Sequence, residues 1–180
     1  LGAAQPTYAL PGQTVDEVVA WIQAHPTLQP ASGERLLVRK SDTPARRFTF
    51  QASIAPPGRA SAAESTGFIR SEQITLFDIV NGVTRDRLEE TLRVIYGPDI
   101  SQDYAQARVL YTYPDPQRLS QAQNQNAPLV SALQGELREG DRFAYWLEIA
   151  QNQAGLAYTG QITVFLKDDI NKLNTELQTR

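Results

Sequence analysis

Two stretches decide the fold: Arg47-Phe-Thr-Phe-Gln-Ala-Ser-Ile54 and Arg142-Phe-Ala-Tyr-Trp-Leu-Glu-Ile149. In the first, Phe48, Phe50, Ala52 and Ile54 alternate with Arg47, Thr49, Gln51 and Ser53. In the second, Phe143, Tyr145, Leu147 and Ile149 alternate with Arg142, Ala144, Trp146 and Glu148. Strict alternation is the mark of a strand with one face buried. A slip of one residue would turn the whole apolar set outward, so a shared phase in two distant stretches points to a repeat.

Two further matches flank these strands in the same order. Gly12-Gln-Thr14-Val-Asp16 corresponds to Gly82-Val-Thr84-Arg-Asp86, and Gln73-Ile-Thr-Leu-Phe77 to Gln161-Ile-Thr-Val-Phe165. Each unit then reads as a helix followed by three strands. Thr14 caps the first helix, Glu17 completes a capping box, and Val15, Val18, Val19 and Ile22 form its stripe. Thr84 caps the second, with Leu88, Leu92 and Ile95 inward and a stop at Gly97-Pro98. First strands are expected at 36–38 and 109–111, and third strands at 74–77 and 162–166. A closing helix carries Ile170, Leu173 and Leu177 on one side. The strands are joined without crossover helices. The reading is therefore α+β: two repeated helix-plus-three-strand units, with an antiparallel sheet and helices on one face. Residues 1–9 form a tail, 10–80 the first unit and 81–180 the second. The stretches 56–67 and 115–140 are the expected surface loops, the latter a polar insertion.

Composition limits the function. The chain has 180 residues, a net charge of −3, and neither Cys nor Met. No disulfide, thiolate metal site or thiol nucleophile is available. The charge balance gives no overall basic field for nucleic acid. No apolar run reaches the roughly 20 residues of a membrane span. The missing Met and the small residues of 1–9 read as the start of an exported chain, with a trimmed cytosolic chain as the alternative. The expected location is extracytoplasmic, periplasmic or equivalent.

A search for catalytic chemistry favours a non-enzyme. His25 is the one histidine; it reads as the last residue of a helix rather than as a base or ligand. Asp16-Glu17, Glu89-Glu90 and Asp168-Asp169 are neighbours in sequence and do not face one another on a helix. No phosphate loop, His-Glu-x-x-His or Gly-x-Ser-x-Gly occurs. No catalytic residue, cofactor or metal ligand is assigned. The candidate partner-binding face is the row opposite the apolar one: Arg47, Gln51, Arg142 and Trp146. Trp146 is open to two readings, an anchor for a partner or a side chain packed beneath the 115–140 insertion. The Arg35, Arg39, Lys40, Arg46 and Arg47 segment is open to the same two kinds of reading, a partner contact or, as the favoured one, a solvated strand edge protected by charge.

Gly82, Thr84, Leu88, Leu92, Gly97, Pro98 and the strand Gln161 to Leu166, with Gly12 and Thr14 in the first unit, resemble the SmpA/OmlA (BamE-like) outer-membrane assembly lipoproteins. Two such units in tandem resemble the β-lactamase inhibitory proteins. The first unit lacks the Gly-Pro stop, and only one helix per unit is legible where the family has two. A cystatin-like sheet wrapped on a helix is the competing fold. The resemblance implies a non-catalytic, protein-binding scaffold or assembly factor in the cell envelope, with another protein as partner. The alternative is a small-molecule or lipid binder with a pocket between sheet and helices.

Overall fold

The computed structural model describes residues 10–58, 67–114, 132–152, 154 and 156–179. The tail 1–9 lies outside them, as does most of the 56–67 and 115–140 loops. In chain order the elements are α1 (Val15–Ala24), β1 (Leu37–Thr43), β2 (Arg46–Ser53), β3 (Ser71–Asp78), α2 (Arg85–Tyr96), α3 (Pro98–Gln106), β4 (Arg108–Tyr113), β5 (Leu133–Glu139), β6 (Ala144–Gln151), β7 (Ala157–Phe165) and α4 (Ile170–Gln178). A single 3-10 turn, Lys167–Asp169, leads into α4. The seven strands form one antiparallel sheet in the order β1-β2-β3-β7-β6-β5-β4. The α+β class and the antiparallel sheet are as expected.

The alternation sorts the side chains as the sequence indicates. Phe50 and Ala52, with Ile74, Leu76, Ile162, Val164, Tyr145 and Leu147, pack against Val18, Trp21 and Ile22 of α1, Leu88, Leu92 and Ile95 of α2, and Ile100 and Tyr104 of α3. Phe143 joins this core from the turn before β6, while Phe48 is only half-buried at its margin. Ile54 falls beyond β2 and is exposed.

Both helix starts obey the local rules. The Thr14 hydroxyl accepts from Glu17 N at 3.2 Å, and the Glu17 carboxylate accepts in return from Thr14 N at 3.3 Å. The Thr84 hydroxyl accepts from Arg87 N at 3.2 Å. The segments before the two helices also lie similarly along the sheet. Ile69 N donates to Gln13 O (2.9 Å), and Val83 N to Ala157 O (2.8 Å).

Four expectations need correction. First, Gly97-Pro98 ends one helix and begins another. Gly97 takes φ +87°, a left-handed conformation that suits glycine, and Pro98 opens α3, where its missing N–H costs nothing. Second, 133–139, assigned to the polar insertion, is strand β5. It takes the place beside β6 that 109–111 was expected to fill, and β4 lies outside it. Third, Phe48 and Phe143 are not equivalent in the pairing. Ile74 lies opposite Ile162, Phe50 opposite Ile74, and Leu147 opposite Ile162. Counting from these partners, Phe48 corresponds to Tyr145; the phase is right and the register is off by two. Fourth, the helices are not all on one face. Ile170, Leu173 and Leu177 of α4 pack on the opposite side, against Trp146, Leu137, Phe165 and Tyr113. A fork of hydrogen bonds holds α4 there: Arg70 Nε and Nη2 donate to the Asp169 carboxylate at 3.0 and 2.6 Å.

Candidate functional site

Because α4 covers only part of its face, the rest of that face has no cover among the described residues. Inter-strand pairing orders it into three ranks. One rank runs Leu37, Gln51, Gln73, Thr163, Trp146; the next Arg39, Thr49, Thr75, Gln161, Glu148; the third Ser41, Arg47, Phe77, Thr159, Ala150. Toward β6 the first rank runs into the apolar cluster under α4. Elsewhere the surface is made of amides, hydroxyls and a few charges.

At its centre a shallow groove of about 260 Å³ is lined by Gln73, Thr75, Glu148, Ala150, Thr159 and Gln161. Gln73 Nε2 donates to Thr163 Oγ1 at 3.3 Å and to Gln161 Oε1 at 3.4 Å, and Thr163 Oγ1 donates to Gln161 Oε1 at 2.5 Å. The Gln161 amide nitrogen is shielded from solvent and has no hydrogen-bond acceptor among the described residues. A buried donor left so is costly, and it becomes a handle for an incoming carbonyl or hydroxyl when the Gln161 side chain turns outward. A relay links the groove to the apolar cluster: Trp146 Nε1 donates to the Tyr113 hydroxyl at 2.8 Å, and that hydroxyl donates to Glu148. Gly135 makes room for the relay. It lies opposite Tyr113, and a β-carbon there would run into the tyrosine ring.

The four residues expected to form a partner-binding face are not brought together. Arg47 and Gln51 are exposed on β2, and Arg47 lies over the Phe77 ring at 4.3 Å. Arg142 is exposed in the turn before β6, eight residues from Ala150, which shares a rank with Arg47. That is roughly 27 Å along the strand. Trp146 is 6% exposed and packs beneath the chain's own C-terminal helix. It is therefore not an exposed anchor, and α4 is a cover that the sequence reading did not consider. The sequence signal for the groove was the alternation Gln73, Thr75, Phe77 and Gln161, Thr163, Phe165, which puts matching polar side chains on adjacent strands.

The charged edge has a mechanism beyond its charge. Arg39 N on β1 donates to the Glu34 carboxylate at 3.0 Å, and Ala31 N to its other oxygen at 2.7 Å. These two backbone amides hold the Glu34 pKa below the usual carboxylate value. With the bulge near Ser41, Glu34 blunts β1 as a template for another strand.

Inside the helix-side core most charge is matched. Burial would push the Glu136 pKa up, but Arg85 and Arg138, both hydrogen-bonded to it, outweigh that effect and hold it below its ordinary value. Glu72 is the exception. It is fully buried on β3 and accepts from the Tyr96 hydroxyl at 2.9 Å; its other oxygen has no partner among the described residues. Burial pushes its pKa up to about 8 against the opposing pull of Tyr96, so the carboxyl is neutral over most of the neutral range. His25 ends α1 as expected. Its Nδ1 accepts from Thr27 N (3.0 Å), which leaves Nε2–H to donate to Ile95 O (2.8 Å), tying α1 to the end of α2. Among the described residues no group of three His, Asp or Glu side chains is placed to hold a metal ion.

Comparison of the chain with protein-family models, with curated proteins and with solved structures finds no match.

Proposed function

We propose that this chain is a non-catalytic protein-binding or assembly-factor module acting outside the cytoplasm, and that the open polar half of the sheet is its docking surface. One observation carries the reading: α4 stops short of β1, β2 and β3, leaving three ranks of Gln, Thr and Arg side chains around a groove with an unsatisfied amide donor. Neutral amides and hydroxyls on rigid strands suit a polar protein surface, and Arg47 over Phe77 supplies a flat cationic margin. The resemblance to SmpA/OmlA (BamE-like) and β-lactamase inhibitory protein units points the same way. So does the proposed descent of the two halves from one unit. It is supported by the matched helix starts and by strands that run β1-β2-β3 and β5-β6-β7 from outside to centre.

The test is cross-linking of the chain in an envelope fraction, identification of what is captured, and titration of the purified pair. Gln51→Arg and Arg47→Ala should weaken that complex about tenfold or more while leaving the melting temperature nearly unchanged. Unchanged affinity in both variants would reject the face.

A second reading, a small-molecule or lipid binder, is favoured by a cleft of about 330 Å³ on the helix side. It is lined by Arg85, Thr112, Gln134, Glu136, Leu147 and Ile149, among others. Saturable binding of an amphiphile that is lost in Ile149→Trp would favour it.

A further inference from the structure

Three of the large apolar residues that stay exposed lie at one end of the sheet, where the end of β3 pairs with the start of β7: Ile79 (51%), Val80 (69%) and Leu156 (55%). Ile79 and Val80 occupy the turn after β3, and Leu156 the turn before β7. Neighbouring hydrogen bonds hold the turns side by side. Ile79 N donates to Ala45 O in the β1–β2 turn (3.0 Å), and Val83 N to Ala157 O (2.8 Å). The turn is stiff. The buried Asp78 carboxylate accepts from Val80 N (3.0 Å) and Asn81 N (2.9 Å), and Gly82 N closes onto Asp78 O (3.0 Å). These bonds fix the backbone that carries Ile79 and Val80.

Set back from this tip is a basic collar. Lys40, Arg46, Arg47 and Arg87 share a shallow cleft with Asp42 and Asp78, a surplus of two positive charges on a chain whose net charge is −3. Arg46 and Arg87 reach Asp78 at 3.4 and 3.0 Å, yet their side chains stay 47% and 39% exposed. Three aliphatic side chains are far too few for a stable protein interface, which takes about 800 Å² per partner. Protein hot spots, moreover, favour aromatic residues seated in pockets. Aliphatic groups on projecting turns with arginines one layer behind fit a bilayer. The apolar tips enter the headgroup boundary and the guanidinium groups meet anionic phosphates.

We propose that this end of the molecule is a peripheral docking site for an anionic membrane surface. Docking through the tip leaves the groove around Gln161 free; the two surfaces share Arg47, which lies at the margin of both.

The experiment is flotation of the whole chain with vesicles of phosphatidylcholine alone and with equimolar phosphatidylcholine and phosphatidylglycerol. The expected result is binding to the mixed vesicles and at least tenfold weaker binding to the neutral ones. Val80→Asp combined with Leu156→Ser, at positions where polar side chains do not disturb packing, should reduce binding to mixed vesicles about tenfold or more. Arg46→Gln, in the collar but outside the ranks of the open face, should reduce it roughly fivefold. A melting temperature equal to that of the parent shows that the variants are folded. Absence of binding to mixed vesicles overturns the proposal and leaves a protein groove as the occupant of the tip. Binding that survives the tip substitutions overturns it as well.

Discussion

Replacing Glu72 by Gln tests the most unusual group in the core. In the folded chain the Glu72 carboxyl releases its proton only near pH 8, against 4.5 when unfolded. Between those values the folded state holds a proton that the unfolded state has lost, so stability falls as pH rises from about 4.5 to about 8. Each pH unit in that window costs about 1.4 kcal/mol, for a total on the order of 5 kcal/mol by pH 8. Gln keeps the shape and keeps an oxygen for the Tyr96 hydroxyl, but it has no proton to lose. Its buried NH₂ adds a penalty of about 1–3 kcal/mol that does not change with pH. Urea unfolding of both proteins at pH 5, 6, 7 and 8 should give a difference that moves in favour of Glu72→Gln with each unit. The other titrating groups cancel in that difference, including Asp78, whose carboxyl the Asn81 and Val80 amides and Arg87 hold down to about 2. A difference constant to within about 0.5 kcal/mol across the series would refute the reasoning.

Trp146→Ala should cost roughly 3–5 kcal/mol in urea unfolding, since the ring fills the space under α4; a loss below about 1 kcal/mol would show that the helix does not need it. Gly135→Ala should cost roughly 1–3 kcal/mol, because the new methyl meets the Tyr113 ring and lies 2.7 Å from Leu147 O. It should also shift tryptophan emission as the Tyr113 hydroxyl leaves Trp146 Nε1, with Trp21 as the unaffected second fluorophore. Asp169→Ala should cost roughly 1.5–3 kcal/mol and speed hydrogen exchange in α4 ahead of the sheet, because Arg70 then loses its forked acceptor.

The contrast between what the sequence declared and what it hid follows from the range of the interactions involved. The facing of Phe50 and Tyr145, the Thr14 and Thr84 caps and the stripe of α4 rest on neighbours within a few residues, and periodicity exposes them. Strand β5 does not. Leu133-Gln-Gly-Glu-Leu-Arg-Glu139 has a glycine and three charges, and it reads as loop until Arg85, 51 residues away in sequence, is placed against Glu136. Trp146 was misplaced for the same reason. The apolar stripe of α4 was legible, but the side of the sheet it would cover depends on Arg70 meeting Asp169 across 99 positions. Alternation also carries no information about register, so Phe48 was matched to Phe143, whereas the pairing sets Phe48 opposite Leu76 and Tyr145 opposite Val164 and leaves Phe143 in the turn before β6. The groove around Gln161 was present as a pattern, Gln-x-Thr-x-Phe on β3 and β7, whose adjacency only the strand order reveals.

That strand order sets when the molecule is able to fold. Of the seven strands of the sheet β7 is the last in sequence, yet it lies at the middle, joined to β3 over seven positions and to β6 over eight. A chain emerging from the ribosome holds two separate hairpin systems with bare inner edges until residues 157–165 arrive to fuse them. Long-range closure of this kind slows folding, and open interior edges invite pairing with other chains. A chain cut between Gln151 and Ala157 therefore does not lose one strand from a margin. It is left as two half-sheets, each with a bare inner edge, and residues 157–165 decide whether the halves become one sheet.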